Sequence, residues 1–237
     1  MGTAGSGVAA TDPSAGLDIG RAQPYPARET FEERVAQAVE LMKEAEGGEL
    51  LHALKKVVLG RRIMLPLSDG AVPTAVARRL RETLGVGTSA GGSLPGYGFS
   101  LPLSHGGALV GRSPELLLRR SGRQVETVPL AGSAPRTGDA AVDAATRERL
   151  LDSAKDLREH GYVVSDVVAR LHQVCTEVIA PDHPEIFETE TMLHLGTAIR
   201  GTLAGRAGTE SYAAPGVFDL AELLHPTPAV CGTPTRQ

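Results

Sequence analysis

Glu115 follows a Ser-Pro pair and opens the apolar run Leu116-Leu117-Leu118. Pro114 fixes its own φ and pushes Ser113 toward extended backbone, so the carboxylate begins a strand on stiff main chain. That mounting suits an acid that must be aimed at a substrate; a solvated carboxylate in a Ser-Pro-Glu turn is the competing reading. Lys56 raises a similar pair of options. It opens the β-branched segment Lys56-Val57-Val58-Leu59, where its amine could point into a cleft, or it joins Lys55, Arg61 and Arg62 along a solvated edge. A third group, Glu159, falls on the polar side of a helical pattern, and periodicity alone makes it a surface carboxylate.

The elements that would carry these groups can be traced along the chain. Residues 1–27 are rich in Gly, Ala, Ser and Pro and read as a disordered or extended leader ahead of a domain over 28–237. Thr30 with Glu33 forms a capping-box pattern. Phe31, Val35, Ala38, Val39 and Met42 then give one apolar helical stripe, with a stop expected near Gly47-Gly48. Strand-like segments follow at 56–59 and 63–65. A second helix is expected from Pro73 to Leu84. The glycines at 85, 87, 91 and 92 come after that helix, whereas a phosphate loop needs a strand before it and a helix after it, so they read as a flexible connection.

Tyr97, Phe99, Leu101 and Leu103 alternate with small or polar residues, as a half-buried strand does. His105-Gly106-Gly107 turns it into a hairpin, and ELLLRR and QVETVPL turn back at Ser121-Gly122. The stretch from Val110 to Arg136 thus reads as strand, turn, strand and a loop containing Gly132. One long helix is expected from about Asp139 to Val178, buried along Leu150, Ala154, Leu157, Gly161, Val164, Val168, Leu171 and Cys175. Short strands at 191–195 and 198–203 and a short helix over 217–224 complete a layered α/β (α+β) pattern with mainly antiparallel strands.

Composition narrows the function classes. The 237 residues are 41% hydrophobic and 22% charged, as expected of a globular chain with a real core. Aromatics are 3%, Trp is absent and the net charge is −4, which argues against nucleic acid and anionic membrane as partners. The two cysteines cannot build a disulfide framework or a zinc site by themselves, so a cytoplasmic setting is expected. No apolar run approaches the roughly 20 residues of a transmembrane helix.

Seven segments, in order, carry a more specific signal: FEERVAQAVELM (31–42), KVVLGR (56–61), GRSPELL (111–117), PLAGSAPR (129–136), SAKDLREH (153–160), LHL (193–195) and HPTPAVCG (225–232). Together they resemble the chorismate-utilising enzymes, and most closely the isochorismate synthases, over roughly residues 28–237. The resemblance implies a layered fold of large antiparallel sheets with helices packed outside. It also implies a magnesium-dependent conversion of chorismate to isochorismate by a monomeric enzyme, feeding siderophore, menaquinone or salicylate synthesis. Water adds at C2, the double bond shifts and the C4 hydroxyl leaves. By the resemblance Lys56 is the general base, Glu115 the general acid and Glu159 a ligand of Mg2+. Gly132, His194, Ala229 and Val230 would line the substrate pocket. Glu115 must then be protonated in the resting site, which calls for a raised pKa. Lysine at position 56 and PLAGS in place of a PIAGT-type loop separate the chain from the ammonia-using relatives; salicylate synthase, which also eliminates pyruvate, is the nearest alternative activity.

The chain departs from the pattern in two ways. Ala154 stands where the relatives' SEKD segment has Glu. Family members also continue well past HPTPAVCG, into a part that holds a second metal-ligating glutamate and the Arg and Tyr groups that clamp the substrate carboxylates. The chain is therefore expected to be a partial catalytic domain, and an inactive fragment is the non-enzymatic alternative.

Overall fold

The computed structural model describes residues 21–46, 54–66, 96–104, 107–205 and 214–235. The chain runs β1 (Gln23–Tyr25), α1 (Arg28–Glu46), β2 (Lys56–Val57), β3 (Arg62–Met64), β4 (Tyr97–Pro102), β5 (Ala108–Ser113), β6 (Leu116–Ser121), β7 (Gln124–Val128) and β8 (Leu130–Pro135). It continues with α2 (Ala140–Leu151), α3 (Ala154–Leu171), β9 (Cys175–Ile179), β10 (Glu185–Glu188), β11 (Met192–Gly196), β12 (Ile199–Leu203), α4 (Val217–Leu224) and β13 (Gly232–Thr233). Every strand pair among the described residues is antiparallel. The largest sheet is ordered β6-β7-β12-β9, and a second is ordered β10-β11-β8. This is the expected mixed fold of antiparallel sheets and helices. The expected helix at 73–84, the glycines at 85–92 and the turn at 105–106 lie outside the described residues.

α3 joins the two sheets. It packs on β8 and β11 of one, on β9 of the other, and on α4. Val167 and Leu171 of α3 meet Val125, Ile199, Leu203, Leu220 and Leu224 in one core cluster. Leu193 and Leu195 of β11 meet Leu150 of α2 in a second. Leu193 and Leu195 are fully buried, and burying such a side chain is worth roughly 1.5–3 kcal/mol. Successive strand residues face opposite ways, so the two leucines anchor β11 while His194, between them, points to the other face.

Three local expectations are corrected. The single helix from Asp139 to Val178 is two helices and a strand. Asp139 caps α2 by accepting from Ala141 N–H and Val142 N–H, and Ser153 caps α3 by accepting from Asp156 N–H at 3.2 Å. That second cap, with Asp156 three residues on, restarts the helix at a point periodicity passes over. Past Leu171, the segment Cys175–Ile179 pairs with β12 instead of extending the helix. The buried stripe of α3 keeps Leu171, with Val164 and Val168 partly buried beside it, but is centred on His160, Val163 and Val167, while Gly161 is exposed. A histidine leads that stripe because Thr197 satisfies its ring nitrogen. Finally, Thr30 is not the cap of α1: Phe31 N–H bonds the Ala27 carbonyl at 3.0 Å, so the helix is already under way at Arg28. Ahead of it, Gln23–Tyr25 of the expected leader pairs with β3.

Candidate active site

Lys56 lies on β2, which is held by β13 through the pairs Val57↔Gly232 and Lys56↔Thr233. Lys55 faces solvent, whereas Lys56 is 7% exposed. Its Nζ donates to the Pro228 carbonyl at 2.6 Å and lies 3.5 Å from Glu159 Oε1. Of the two readings open to Lys56, the structure therefore selects the inward one. The receiving carbonyl belongs to a compact turn in which Val230 N–H and Cys231 N–H bond the Thr227 carbonyl and Gly232 N–H bonds Pro228 O at 3.2 Å. Ala229 and Val230 are in this turn, Ala229 next to the carbonyl that holds Lys56 and Val230 at its exposed edge.

Gly232 makes this arrangement possible. Its φ is +109°, and a Cβ there would overlap the Lys56 carbonyl. Gly232→Ala is expected to cost of the order of 2–3 kcal/mol and lower Tm by roughly 4–12 °C. A variant with unchanged Tm would show that β13 does not clamp the Lys56 strand.

Glu159 stands on α3 between the side chains of Lys56 and Lys155, with Lys155 Nζ 3.6 Å from its Oε2. Asp156 lies one turn earlier, bonded by Ser153 Oγ and by Lys155. These bonds, Ser153 first, lower the Asp156 pKa, and the same Asp156 contact raises that of Lys155. Sequence periodicity put Glu159 on the surface; in the structure it is partly buried, next to buried His160 and beside Lys56.

Glu115 lies in the turn between β5 and β6. Its N–H bonds Ser113 Oγ at 3.2 Å, so the Ser-Pro-Glu turn forms. Its carboxyl nevertheless turns inward and accepts from Leu130 N–H at 3.2 Å. Burial pushes the Glu115 pKa up, partly offset by that N–H. The direction is the one a proton donor requires. Two residues beyond Leu130, Gly132 has φ +84°, and a Cβ there would lie 3.1 Å from both Asp156 Cβ and Leu195 Cδ1. Glycine here lets β8 approach the first turn of α3. Across the sheet from Ser133, His194 places Nδ1 2.7 Å from Ser133 Oγ, and burial lowers its pKa.

Short steps thus connect all seven residues singled out in the sequence. Glu115 leads through Leu130 to Gly132 and His194, Gly132 leads through Asp156 to Glu159, and Glu159 leads to Lys56 and the turn of Ala229 and Val230. Sequence reasoning did not single out Pro228, the Leu130 N–H, Lys155, Asp156, His160 or Thr197. The Ser153-x-x-Asp156 cap pattern is the one local signal that could have found part of this set. The assembly presents a buried amine and a half-exposed carboxylate side by side, and a second carboxyl held nearer its neutral form.

The profile of a family described as chorismate binding enzyme matches residues 10–237. Isochorismate synthase DhbC of Bacillus subtilis is 37% identical over 213 residues, 90% of this chain and 49% of that protein. Among solved structures, a putative 2,3-dihydroxybenzoate-specific isochorismate synthase, DhbC from Bacillus anthracis, superposes with a TM-score of 0.76 at 36% identity. That match covers 93% of this chain and 54% of the other. MenF, the menaquinone-specific isochorismate synthase from Escherichia coli, superposes with a TM-score of 0.70 at 25% identity over 92% of this chain and 45% of its own. The chain spans about half the length of the curated relatives it matches.

Proposed function

Since the chain belongs to the chorismate binding enzyme family, we propose that it catalyses the isomerisation of chorismate to isochorismate, with Lys56 as general base and Glu115 as general acid. The observation that carries this reading is the buried Lys56 amine, held by the Pro228 carbonyl and Glu159. A buried amine on an antiparallel strand pair is positioned to take a proton from a water attacking C2. Glu115, kept toward its protonated form by burial, donates that form's proton to the hydroxyl leaving C4, which departs as water. The two transfers balance: one water is consumed and one released. Gly132, His194, Ala229 and Val230 would line the substrate's path to these groups.

Mg2+ takes one or two carboxylates and fills its shell with waters and substrate oxygens. Glu159 fits one such position. Its side chain is 32% exposed, and its two oxygens already face the Nζ atoms of Lys56 and Lys155 at 3.5 and 3.6 Å. Among the described residues no three His, Cys, Asp or Glu side chains converge into a metal cage, so the remaining ligands would be water and substrate. Glu159 would hold the ion, which would supply countercharge for the substrate carboxylate. For that, Lys155 must swing away, which its exposed position allows. Glu159→Gln is expected to weaken Mn2+ binding, read by proton relaxation of the solvent, by roughly tenfold or more, since a single carboxylate is the charged ligand. Equal affinity in both proteins would remove Glu159 from the metal.

The direct test incubates the chain with chorismate and Mg2+ and resolves the products by chromatography. Isochorismate is the expected product. Salicylate with pyruvate would move the assignment to the salicylate-forming branch, and a folded chain that leaves chorismate unchanged would overturn the reading.

A further inference from the structure

His160 follows Glu159 on α3 and is 2% exposed. Its Nε2 lies 2.7 Å from Oγ1 of Thr197, which is 3% exposed in the connection between β11 and β12. Thr197 N–H in turn donates to the Pro129 carbonyl at 3.4 Å. The next residue, Leu130, supplies the N–H that binds Glu115. A continuous path of buried polar contacts therefore joins the residue beside Glu159 to the residue beside the Glu115 contact.

The path crosses the sheet at an irregular point. Leu130 pairs with Gly196 and Ser133 with His194, so Ala131 and Gly132 oppose Leu195 alone. Such a bulge frees backbone groups from the ladder and re-aims the strand. The Ala131 backbone turns to the His160 ring, and His160 Nδ1 beside it is buried without a full hydrogen bond. The ring thus braces the strand where the ladder is interrupted. Thr197 Oγ–H donating to Nε2 and Nδ1–H facing the Ala131 carbonyl is the arrangement that suits a neutral imidazole.

We propose that His160 and Thr197 are positioning residues, a buried strut that sets the placement of the Glu115 carboxyl relative to Glu159. A core pair with no such role would be expected to end in apolar surroundings. This one starts next to Glu159 and ends next to Leu130, whose N–H binds Glu115. The proposal rests on the functional reading above for its effect on rate, but not for its effect on Glu115.

Thr197→Val keeps the side-chain shape and removes the hydroxyl; Thr197→Ser restores it. With chorismate and Mg2+, Thr197→Val is expected to lower kcat by roughly tenfold to a hundredfold, as small misplacements do. KM should stay within about twofold and Thr197→Ser should recover most of the rate. A merely structural pair would lower Tm and leave the kcat of the folded protein alone. The second readout needs no turnover: the Glu115 carboxyl is followed by 13C NMR against pH, assigned with Glu115→Gln. In Thr197→Val its midpoint should rise, because the His160 ring, released from the hydroxyl, no longer braces Ala131 beside the Leu130 N–H that favours the charged carboxylate. If the wild-type chain turns over and Thr197→Val keeps its kcat, the strut is wrong while the functional reading stands. If the wild type does not turn over, that reading fails, and an unchanged Glu115 titration in Thr197→Val would overturn the strut as well.

Discussion

Lys56→Met is expected to lower kcat by roughly 10²–10⁴-fold, the usual worth of a positioned base, while the protein stays folded. Methionine keeps most of the buried stem and removes the amine, so the cavity that Lys56→Ala would open is avoided. The two groups that lose Lys56 are not stranded. Pro228 O keeps the Gly232 N–H at 3.2 Å, and Glu159 keeps Lys155 at 3.6 Å. Taking one member out of a buried ion pair is strongly destabilising when the other charge is left alone; here the other charge is part-exposed and retains a partner. The variant should accordingly melt near the wild type. A folded Lys56→Met protein that turns over chorismate at the wild-type rate would remove Lys56 from the chemistry. A variant that unfolds would instead mark the Lys56 contacts to Pro228 and Glu159 as structural cement between β2 and α3, and Lys56→Arg, which keeps a hydrogen-bond donor but not the amine, would then separate the two roles.

The parts of the fold that were legible in the sequence are those whose information is local. β6 and β7 show as two strand-like runs around Ser121-Gly122, with Gly122 at φ +60° in their turn, and the short helix read over 217–224 is α4 (Val217–Leu224). What stayed hidden depends on distant partners. The inward turn of Lys56 is set by Pro228, 172 residues away, and no pattern near Lys56 distinguishes it from the exposed Lys55. β9 was absorbed into a helix because Cys175–Ile179 follows a strong helical stripe and pairs only with β12. Periodicity alone makes Glu159 a surface carboxylate, and it does not show that its neighbour His160 is buried against the Thr197 hydroxyl, on a partner 37 residues away. For the same reason the candidate residues came from resemblance, not from spacing. Their spacing in sequence carries no metric, since two sheets and one helix bring them together.

Glu115→Gln should separate catalysis from stability in opposite directions. Glutamine keeps an oxygen to accept from Leu130 N–H and keeps the side-chain volume, so the loss is confined to the transferable proton. The rate is expected to fall by roughly 10²–10⁴-fold. The wild-type rate should decline as pH rises through the Glu115 pKa, because the working form is the protonated one, and that limb should be missing from the residual rate of the variant. The sign for stability follows from the same shift. Burial raises the folded-state pKa of Glu115 above its unfolded value, so the folded chain binds this proton more tightly. The associated stability is fully present at pH below the unfolded carboxylate value and is lost as pH rises through the folded one, where a buried carboxylate must ionise. Glu115→Gln never ionises. At neutral pH it should therefore be at least as stable as the wild type, and the difference should close on acidification. Thermal melts of both proteins from acid to neutral pH, set beside their rate profiles, decide the matter. A variant that is less stable at neutral pH and still active would place Glu115 among the solvated turns from which its sequence context could not separate it.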